Sequence, residues 1–205
     1  MRIVATLTCA IAGVLLAAPV FANEVKPAAD AKRVKEIVSG RCSLCHGMDG
    51  ESASPVFPRL AAQHPEYMAK QLKDFREGRR KGTMNEMAAD LKDEEINGLA
   101  NYFGAKPAKS KRAGDVDLAA VGKYVFDKGN KFTGVASCSS CHGPKAYGTV
   151  QLPRLAGQNA QYLETQLKEF NQRARTNDNA VMHSIASKLT ELETVAVSLY
   201  IASLE

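Results

Sequence analysis

A single sequence unit occurs twice in the 205-residue chain. Cys-Ser-Leu-Cys-His-Gly at 42–47 returns as Cys-Ser-Ser-Cys-His-Gly at 138–143, and Pro-Arg-Leu-Ala at 58–61 returns at 153–156. Further positions repeat 95 residues on for Gln63, Tyr67, Gln71, Leu72 and Phe75, and 98 residues on for Met84, Ala88, Leu91 and Tyr102. Because the features keep their order, the chain is restricted to a fold that contains the same domain twice.

The repeated Cys-x-x-Cys-His segment predicts chemistry as well as architecture. This motif is the attachment signature of c-type haem, in which two thioether bonds hold the porphyrin and the following histidine binds iron. We therefore expect thioethers at Cys42, Cys45, Cys138 and Cys141. One alternative is a thioredoxin-like redox dithiol, but that fold has a βαβ pattern, which the sequence lacks. Another is a zinc ribbon, but the two cysteine pairs lie too far apart for one. Neither alternative explains a histidine after both pairs.

Axial iron ligands can be chosen by comparing the two copies. His46 and His142 are the expected proximal ligands. A methionine on the other side would fill the iron and raise its reduction potential. Met84 and Met182 are the methionines that the copies share, so we expect them to be the distal ligands. The other candidates have no ligating counterpart in the second unit and are interpreted as core, packing or loop residues: Met48, Met68, Met87, His64 and His183.

The Pro-Arg pair of each copy predicts support for the haem. A proximal histidine needs a backbone carbonyl to accept its Nδ1–H, and the loops that end at Pro58 and Pro153 can supply one. Arg59 and Arg154 are then candidates to pair with haem propionates. The alternative for these two arginines is an ordinary charge on the solvent-facing surface.

Hydrophobic spacing predicts helices and little or no sheet. We expect helices near 30–41, 118–128, 93–104 and 190–204, a helix opened by Pro65, and one with Asn159 as its N-cap. Thr190 with Glu193 is a capping-box pattern. The Pro-, Gly- and Lys-containing stretch 105–114 predicts a linker. It divides the chain into a first domain, 23–104, and a second domain, 115–205.

The N-terminus resembles an export signal. A short basic start, an apolar run and the sequence Val20-Phe21-Ala22 predict a signal peptide over residues 1–22, cleaved before Asn23. An uncleaved membrane anchor is the alternative, although the apolar run is short for a span. Lipidation of Cys9 is a weaker alternative, because the small residue expected just before a lipidated cysteine is missing. The sequence thus predicts an exported protein.

Charge and composition exclude several classes. With 45% apolar and 24% charged residues the chain is not a polytopic membrane protein, a collagen or a disordered tail. The net charge of +5 is modest and dispersed, which argues against a nucleic-acid partner. Residues 79–81, Arg-Arg-Lys, and the linker are the basic clusters expected to steer an acidic partner.

These motifs together resemble a known family. Each unit is similar to a class I cytochrome c domain, and the tandem pattern, from Phe57-Pro-Arg-Leu-Ala through Tyr67-x-x-x-Gln71-Leu-x-x-Phe75 to Met84, resembles the dihaem cytochrome c4 family over residues 29–205. The resemblance implies an all-α fold with two covalent haem c groups of His/Met ligation, related by a pseudo-twofold axis. It implies a periplasmic electron carrier, loosely associated with the inner membrane.

Partners also follow from the resemblance. A quinol-oxidising cytochrome bc complex is the implied donor and a terminal haem–copper oxidase the implied acceptor, with no small-molecule substrate. The alternative is a dihaem enzyme or enzyme subunit, of the peroxidase or thiosulfate dehydrogenase kind, which needs an open iron site. The nine-residue spacing from Phe75 to Met84, against 12 from Phe170 to Met182, is a departure that bears on Met84.

Overall fold

A computed structural model describes residues 30–109 and 115–205. The predicted signal peptide and residues 110–114 of the predicted linker lie outside these ranges. The described part of the chain is helical and contains no β-strand; an isolated bridge pairs Asn130 with Val135. The expected all-α fold is confirmed.

The helices follow the same order in both copies. Those of the first copy are α1 (Ala31–Ile37), α2 (Ser43–His46), α3 (Pro65–Arg76), α4 (Met84–Ala88) and α5 (Asp93–Gly104), with a π-helical turn at Val38–Cys42. Those of the second are α6 (Val116–Lys128), α7 (Ser139–His142), α8 (Ala160–Asn171), α9 (Val181–Ala186) and α10 (Glu191–Ser203). None of these helices is long and apolar enough to cross a membrane.

Local sequence signals explain where several helices begin. Pro65 occupies the first turn of α3, as predicted. The Thr190 hydroxyl accepts the Glu193 N–H at 3.2 Å, and the Glu193 carboxylate accepts the Thr190 N–H at 2.8 Å, so the capping box of α10 is confirmed. The first predicted helix differs, because α1 ends at Ile37 and the chain continues through the wider π-helical turn into α2.

Each domain buries its first and last long helices against one another. In the first copy Val34 and Ile37 of α1 share a core with Leu99 and Phe103 of α5. In the second copy, the core contains residues of α6 and α10: Val125, Phe126, Val197 and Ile201. The helices of the second copy approach so closely that a Cβ at Gly122 would lie 1.9 Å from the Ala196 carbonyl oxygen. Helix α6 also contacts the short motif helix α7, which follows it in the chain.

Candidate haem sites

Two short helices carry the Cys-x-x-Cys-His motifs. Helix α2 holds Cys45 and His46, and α7 holds Cys141 and His142. The first cysteine of each pair, Cys42 or Cys138, is half-buried, whereas the second is exposed. The four thiols are free in the described chain. Each motif therefore presents two thiols and an imidazole from about one helical turn.

The proximal histidines are buried and held in one tautomer. His46 Nδ1 lies 2.8 Å from the Pro58 carbonyl oxygen, and His142 Nδ1 lies 3.3 Å from that of Pro153. Because a carbonyl oxygen only accepts, the proton is on Nδ1 and the lone pair is on Nε2. These are the carbonyl contacts that the sequence predicts.

Burial also sets the charge of these groups. It lowers the pKa of His46 and of His142, against the opposing effect of the proline carbonyls, so both imidazoles are neutral at pH 7. It raises the pKa of the Cys42 and Cys138 thiols to about 11. The neutral imidazole is the form that binds a metal. A thioether at Cys42 or Cys138 would carry no charge, so it would fit the same half-buried environment.

Met84 and Met182 occupy equivalent places in the two copies. Met84 is the first residue of α4 and packs against the core of the first domain. Met182 lies in the first turn of α9, where its N–H donates to the Asp178 carboxylate at 2.6 Å. Both side chains are half-buried. Iron ligation by this pair stays a prediction.

The other methionines take different positions. Met68 is buried in the first core, as its interpretation as a core residue requires. Met48 and Met87 are exposed, so the expectation that Met87 is a packing residue is wrong. The Met87 carbonyl instead accepts a hydrogen bond from Arg41, which ties α4 to the π-helical turn.

The unshared histidines have other contacts. His183 Nδ1 donates to the Phe170 carbonyl oxygen at 2.9 Å, and its counterpart Asn85 donates through Nδ2 to the Phe75 carbonyl oxygen at 2.6 Å. The two residue types thus do the same structural task. His64 Nε2 lies 2.7 Å from the Tyr147 carbonyl oxygen in the other domain.

Arg59 and Arg154 lie where the two domains meet. Arg59 is only 5% exposed, so the solvent-facing alternative is wrong for it; its guanidinium donates to the Glu51 carboxylate and to the carbonyls of Gly157 and Lys109. Arg154 is half-buried, and its guanidinium stacks over the Tyr147 ring with 4.4 Å to the centroid. Pairing with propionates stays a prediction for both.

Comparisons with known proteins decide the family. The family model described as "Cytochrome C oxidase, cbb3-type, subunit III" matches residues 29–103, and the one described as "Cytochrome c" matches residues 126–205. Cytochrome c4 of Thiocapsa roseopersicina is 41% identical over 170 residues, which are 81% of this chain and 88% of that protein. The chain belongs to the cytochrome c4 family.

Two further relatives extend the comparison. The crystal structure of reduced cytochrome c4 from Pseudomonas stutzeri superposes with a TM-score of 0.81 at 35% identity, covering 86% of this chain and 99% of that one. A protein of Stutzerimonas stutzeri named "Thiosulfate dehydrogenase electron acceptor" is 40% identical over 168 residues, which are 79% of this chain and 78% of that protein. Like other cytochrome c4 proteins, this chain is a dihaem electron-transfer cytochrome.

The residues present fit two covalently bound haem c groups. Each motif offers the two thiols, and each buried histidine turns an unprotonated Nε2 away from its proline carbonyl. Arg154 is a second indication of a haem site, because its buried Nε–H has no partner in the described residues. An unsatisfied buried cationic donor suits a carboxylate such as a propionate. Arg154 also lines, with Lys109, Gly157 and Leu204, a cavity of about 170 Å³ between the linker and the second domain.

Glutamine side chains join the two cytochrome c4 domains reciprocally. Gln158 accepts the Arg59 N–H at 2.8 Å and donates to the Arg59 carbonyl at 2.9 Å. Gln63 makes the same two bonds, both at 2.9 Å, with the backbone of Arg154. Since these residues match at 95-residue spacing, the contacts are related as a pseudo-twofold axis requires.

Two predictions about single residues are corrected at this interface. Asn159 stands at the N-cap of α8, but its side chain does not cap the helix; Nδ2 donates to the carbonyls of Phe57 and Ser54 in the first domain. Arg80, expected in a basic cluster that steers partners, is buried between the domains. The repeat itself held the missed signal, because Arg80 and Arg175 match at 95 residues.

Asp74 is a buried carboxylate through which we expect the interface to respond to acid. Burial tends to raise the pKa of this 2%-exposed carboxyl, but hydrogen bonds from Lys70, Asn177 and Arg79 outweigh burial and hold the pKa below its usual range. A depressed pKa contributes stability above the ordinary value of about 4, and this is lost as pH falls through the folded-state pKa.

We expect Asp74→Asn to lower the free energy of unfolding of the haem protein by about 2–4 kcal/mol at pH 7. The deficit relative to the unsubstituted protein should shrink below pH ~4. Denaturant unfolding at pH 7 and pH 3 measures both values. Asp90→Asn, at an exposed carboxylate paired with Arg41, is the control and should change little. An equal deficit at the two pH values would contradict the assignment.

Proposed function

We propose that this cytochrome c4 is a periplasmic electron carrier with two closed His/Met haems, ligated by His46 and Met84 and by His142 and Met182. When bound, each haem iron changes between the ferric and ferrous states and so holds one electron. The supporting observation is that both copies repeat a buried histidine fixed by a proline carbonyl and a half-buried methionine at a helix start. Such equivalence favours a carrier over an enzyme with one specialised open iron.

The chain's own residues perform the supporting tasks in this proposal. The carbonyls of Pro58 and Pro153 keep each imidazole Nε2 unprotonated. The free Nε–H of Arg154 would take a propionate oxygen. Arg59 already binds Glu51, so we infer that it would share its guanidinium between that carboxylate and a propionate.

Export and partners belong to the same proposal. Cleavage after Ala22 would release the mature chain into the periplasm, in peripheral contact with the inner membrane. A quinol-oxidising cytochrome bc complex would reduce it and a terminal haem–copper oxidase would oxidise it. A thiosulfate-oxidising dehydrogenase is a second candidate donor. The Stutzerimonas relative named "Thiosulfate dehydrogenase electron acceptor" favours it. In that case the chain remains the carrier and the chemistry on thiosulfate belongs to the partner.

The absorption spectrum of the purified protein, oxidised and reduced, with and without carbon monoxide, tests the proposal. Two closed sites should give low-spin c-type bands, a far-red methionine–ferric band and no carbon monoxide adduct. A high-spin component or an adduct under native conditions would mean an open iron. The carrier function would then be abandoned in favour of the dihaem enzyme.

We further propose that partners dock over the first motif. Leu44, inside Cys42–His46, is 81% exposed, and Met48 and Val56, which follow it in the same copy, are also exposed. The second motif has Ser140 at the position of Leu44. Exposed apolar side chains beside a redox centre suit the small interfaces of transient electron-transfer complexes. Docking over Leu44 would pass electrons through the first domain.

Leu44→Ser gives the first motif the residue of the second. Losing one partly desolvated leucine contact should lower the second-order rate of reduction by the partner about tenfold, without moving either reduction potential. Stopped-flow kinetics with the isolated donor complex measures the rate. Leu192→Ser, at an exposed leucine on α10, is the matched control and should react as the unsubstituted protein does. Equal rates for both variants would remove the docking proposal.

A further inference from the structure

Arg80 and Arg175 occupy equivalent positions between the domains. Arg80 lies between α3 and α4, four residues before Met84, and Arg175 lies between α8 and α9, seven before Met182. Their exposures are 8% and 7%. Each guanidinium stacks over a phenylalanine of its own domain, with 4.6 Å from Arg80 to Phe75 and 4.5 Å from Arg175 to Phe170.

Two glutamines join these arginines into a closed ring, the arginine–glutamine ring of Arg80, Gln71, Arg175 and Gln166. The Gln71 oxygen accepts from Arg80 at 2.9 Å and from Arg175 at 3.1 Å. The Gln166 oxygen accepts from each at 2.7 Å. Every glutamine oxygen thus bridges a guanidinium of its own domain and one of the other domain.

Tyrosines complete the contacts across the interface. Arg80 donates to the Tyr162 hydroxyl at 2.9 Å, and Arg175 donates to the Tyr67 hydroxyl at 3.0 Å. Burial tends to raise the pKa of Tyr162, but the two guanidiniums outweigh it and lower that pKa. Each arginine therefore donates to one glutamine of its own domain, and to a glutamine and a tyrosine of the other domain.

This arrangement is costly unless the domains are docked. The direct acceptors of the two guanidiniums are neutral oxygens of Gln, Tyr and Asn side chains. Buried cations close together repel one another and lose hydration, so they require all of these hydrogen bonds. Losing one acceptor in either domain should disturb both arginines, because both glutamine oxygens are shared.

Hydrogen bonds of the two arginine loops lead from the ring towards the methionine helices. The Arg80 N–H donates to the Asp74 carbonyl at 3.0 Å, and its own carbonyl accepts from Asn85, the neighbour of Met84, at 2.8 Å. In the second copy the Arg175 Nε–H donates to Asn177 at 3.0 Å, and the next residue, Asp178, accepts the Met182 N–H. In both copies the arginine loop continues into the helix of the distal methionine.

We propose that the arginine–glutamine ring is a positioning device shared by the two haem sites, so that each iron–methionine bond depends on side chains of the opposite domain. This inference rests on the proposed function, because it takes Met84 and Met182 as ligands. Each arginine acts through its own loop and touches neither iron. The domains then form one coordination unit, in which loss of a contact in one domain loosens the methionine of the other.

Arg80→Met in the holoprotein tests the proposal, with Lys81→Met as the matched control. Both remove one positive charge, but Lys81 is exposed. Imidazole added to the ferric protein displaces methionine, and the hyperfine-shifted methionine methyl signals of the ferric protein resolve the two haems during the titration. We expect Arg80→Met to raise the imidazole association constant about tenfold at both haems, since hydrogen bonds to a charged group are lost. Lys81→Met should leave both constants unchanged.

Tyr162→Phe makes the test independent of gross misfolding. It removes one hydroxyl from the second domain, and its bond partner Arg80 belongs to the loop of Met84. The larger rise in imidazole affinity, about threefold or more, should therefore occur at the first haem. Effects confined to the substituted domain, or equal effects from Lys81→Met, would overturn the proposal. Absence of methionine signals in the unsubstituted protein would overturn the ligand assignment, and the proposal with it.

Discussion

Gly122→Ala should destabilise the second domain by about 3 kcal/mol or more, because the added methyl group has no space. A Cβ there would meet the Ala196 carbonyl oxygen at 1.9 Å, its carbon at 2.4 Å and the Val197 nitrogen at 2.9 Å. These are backbone atoms of α10 and cannot turn aside as a side chain does. Helix α6 would have to move away from α10, which opens the core that contains Phe126 and Ile201.

Denaturant unfolding of the haem protein, followed by helical circular dichroism and haem absorption, measures this loss. Gly40→Ala is the matched control: Gly40 lies in the π-helical turn of the first copy and has open space around its Cβ position. That variant should stay within about 0.5 kcal/mol of the unsubstituted protein. Comparable stability of the two variants would mean that α6 and α10 are not in close backbone contact.

Met84→Ala and Met182→Ala should each open one iron to external ligands. If the proposed ligation holds, each variant loses the far-red band contribution of one haem and gains a carbon monoxide adduct at that haem in the reduced state. The reduction potential of the opened haem should fall, because the thioether that stabilises ferrous iron is gone. Titration with carbon monoxide and spectroelectrochemistry measure these changes.

Met87→Ala supplies the control from the same helix. Met87 is exposed and aligns with Ile185, so its removal should leave both bands and both potentials as they are. An adduct in Met87→Ala, with none in Met84→Ala, would assign the first distal ligand to the other end of α4. The Phe75–Met84 spacing makes this comparison informative for the first domain.

The longer Phe170–Met182 segment of the second copy makes contacts that the Phe75–Met84 segment does not make. Residues between Arg175 and Met182 include Asn177, whose Nδ2 donates to Asp74 at 2.6 Å and to Gln71 at 3.0 Å across the interface. Asp178 then accepts the N–H groups of Ala180 and Met182. The additional residues therefore add an interdomain contact and support the start of α9, without changing the shared arrangement of the two copies.

Local patterns predicted the elements that local interactions form. The capping box at Thr190, the helix start at Pro65 and the proline carbonyls beside His46 and His142 all depend on residues close in sequence or on a repeated motif. Asn159 illustrates the limit: its type and place predicted a helix cap, yet tertiary docking gave its amide two carbonyl partners more than a hundred residues away.

Charge patterning failed at Arg80 for the same physical reason. Three consecutive basic residues indicate a solvated surface when only their sequence is considered. The docked second domain encloses the middle one with Tyr162 and Gln166, whereas Lys81 stays exposed. A partner more than eighty residues away cannot be inferred from composition. The repeat spacing of Arg80 and Arg175 was the available sign, because matched residues that lie near a pseudo-twofold axis face each other.

The interdomain contacts of Gln63 and Gln158 bind main chain rather than side chains. Gln63 and Gln158 each pair with the N–H and carbonyl of an arginine, so the side chains at 59 and 154 are not used in this pairing. The surface is also self-complementary, as in an isologous dimer, because each copy carries both the glutamine and the backbone that receives it. A single unit therefore contains every group needed to recognise a second copy of itself. Fusion of two such units keeps this contact and holds the partners at high effective concentration.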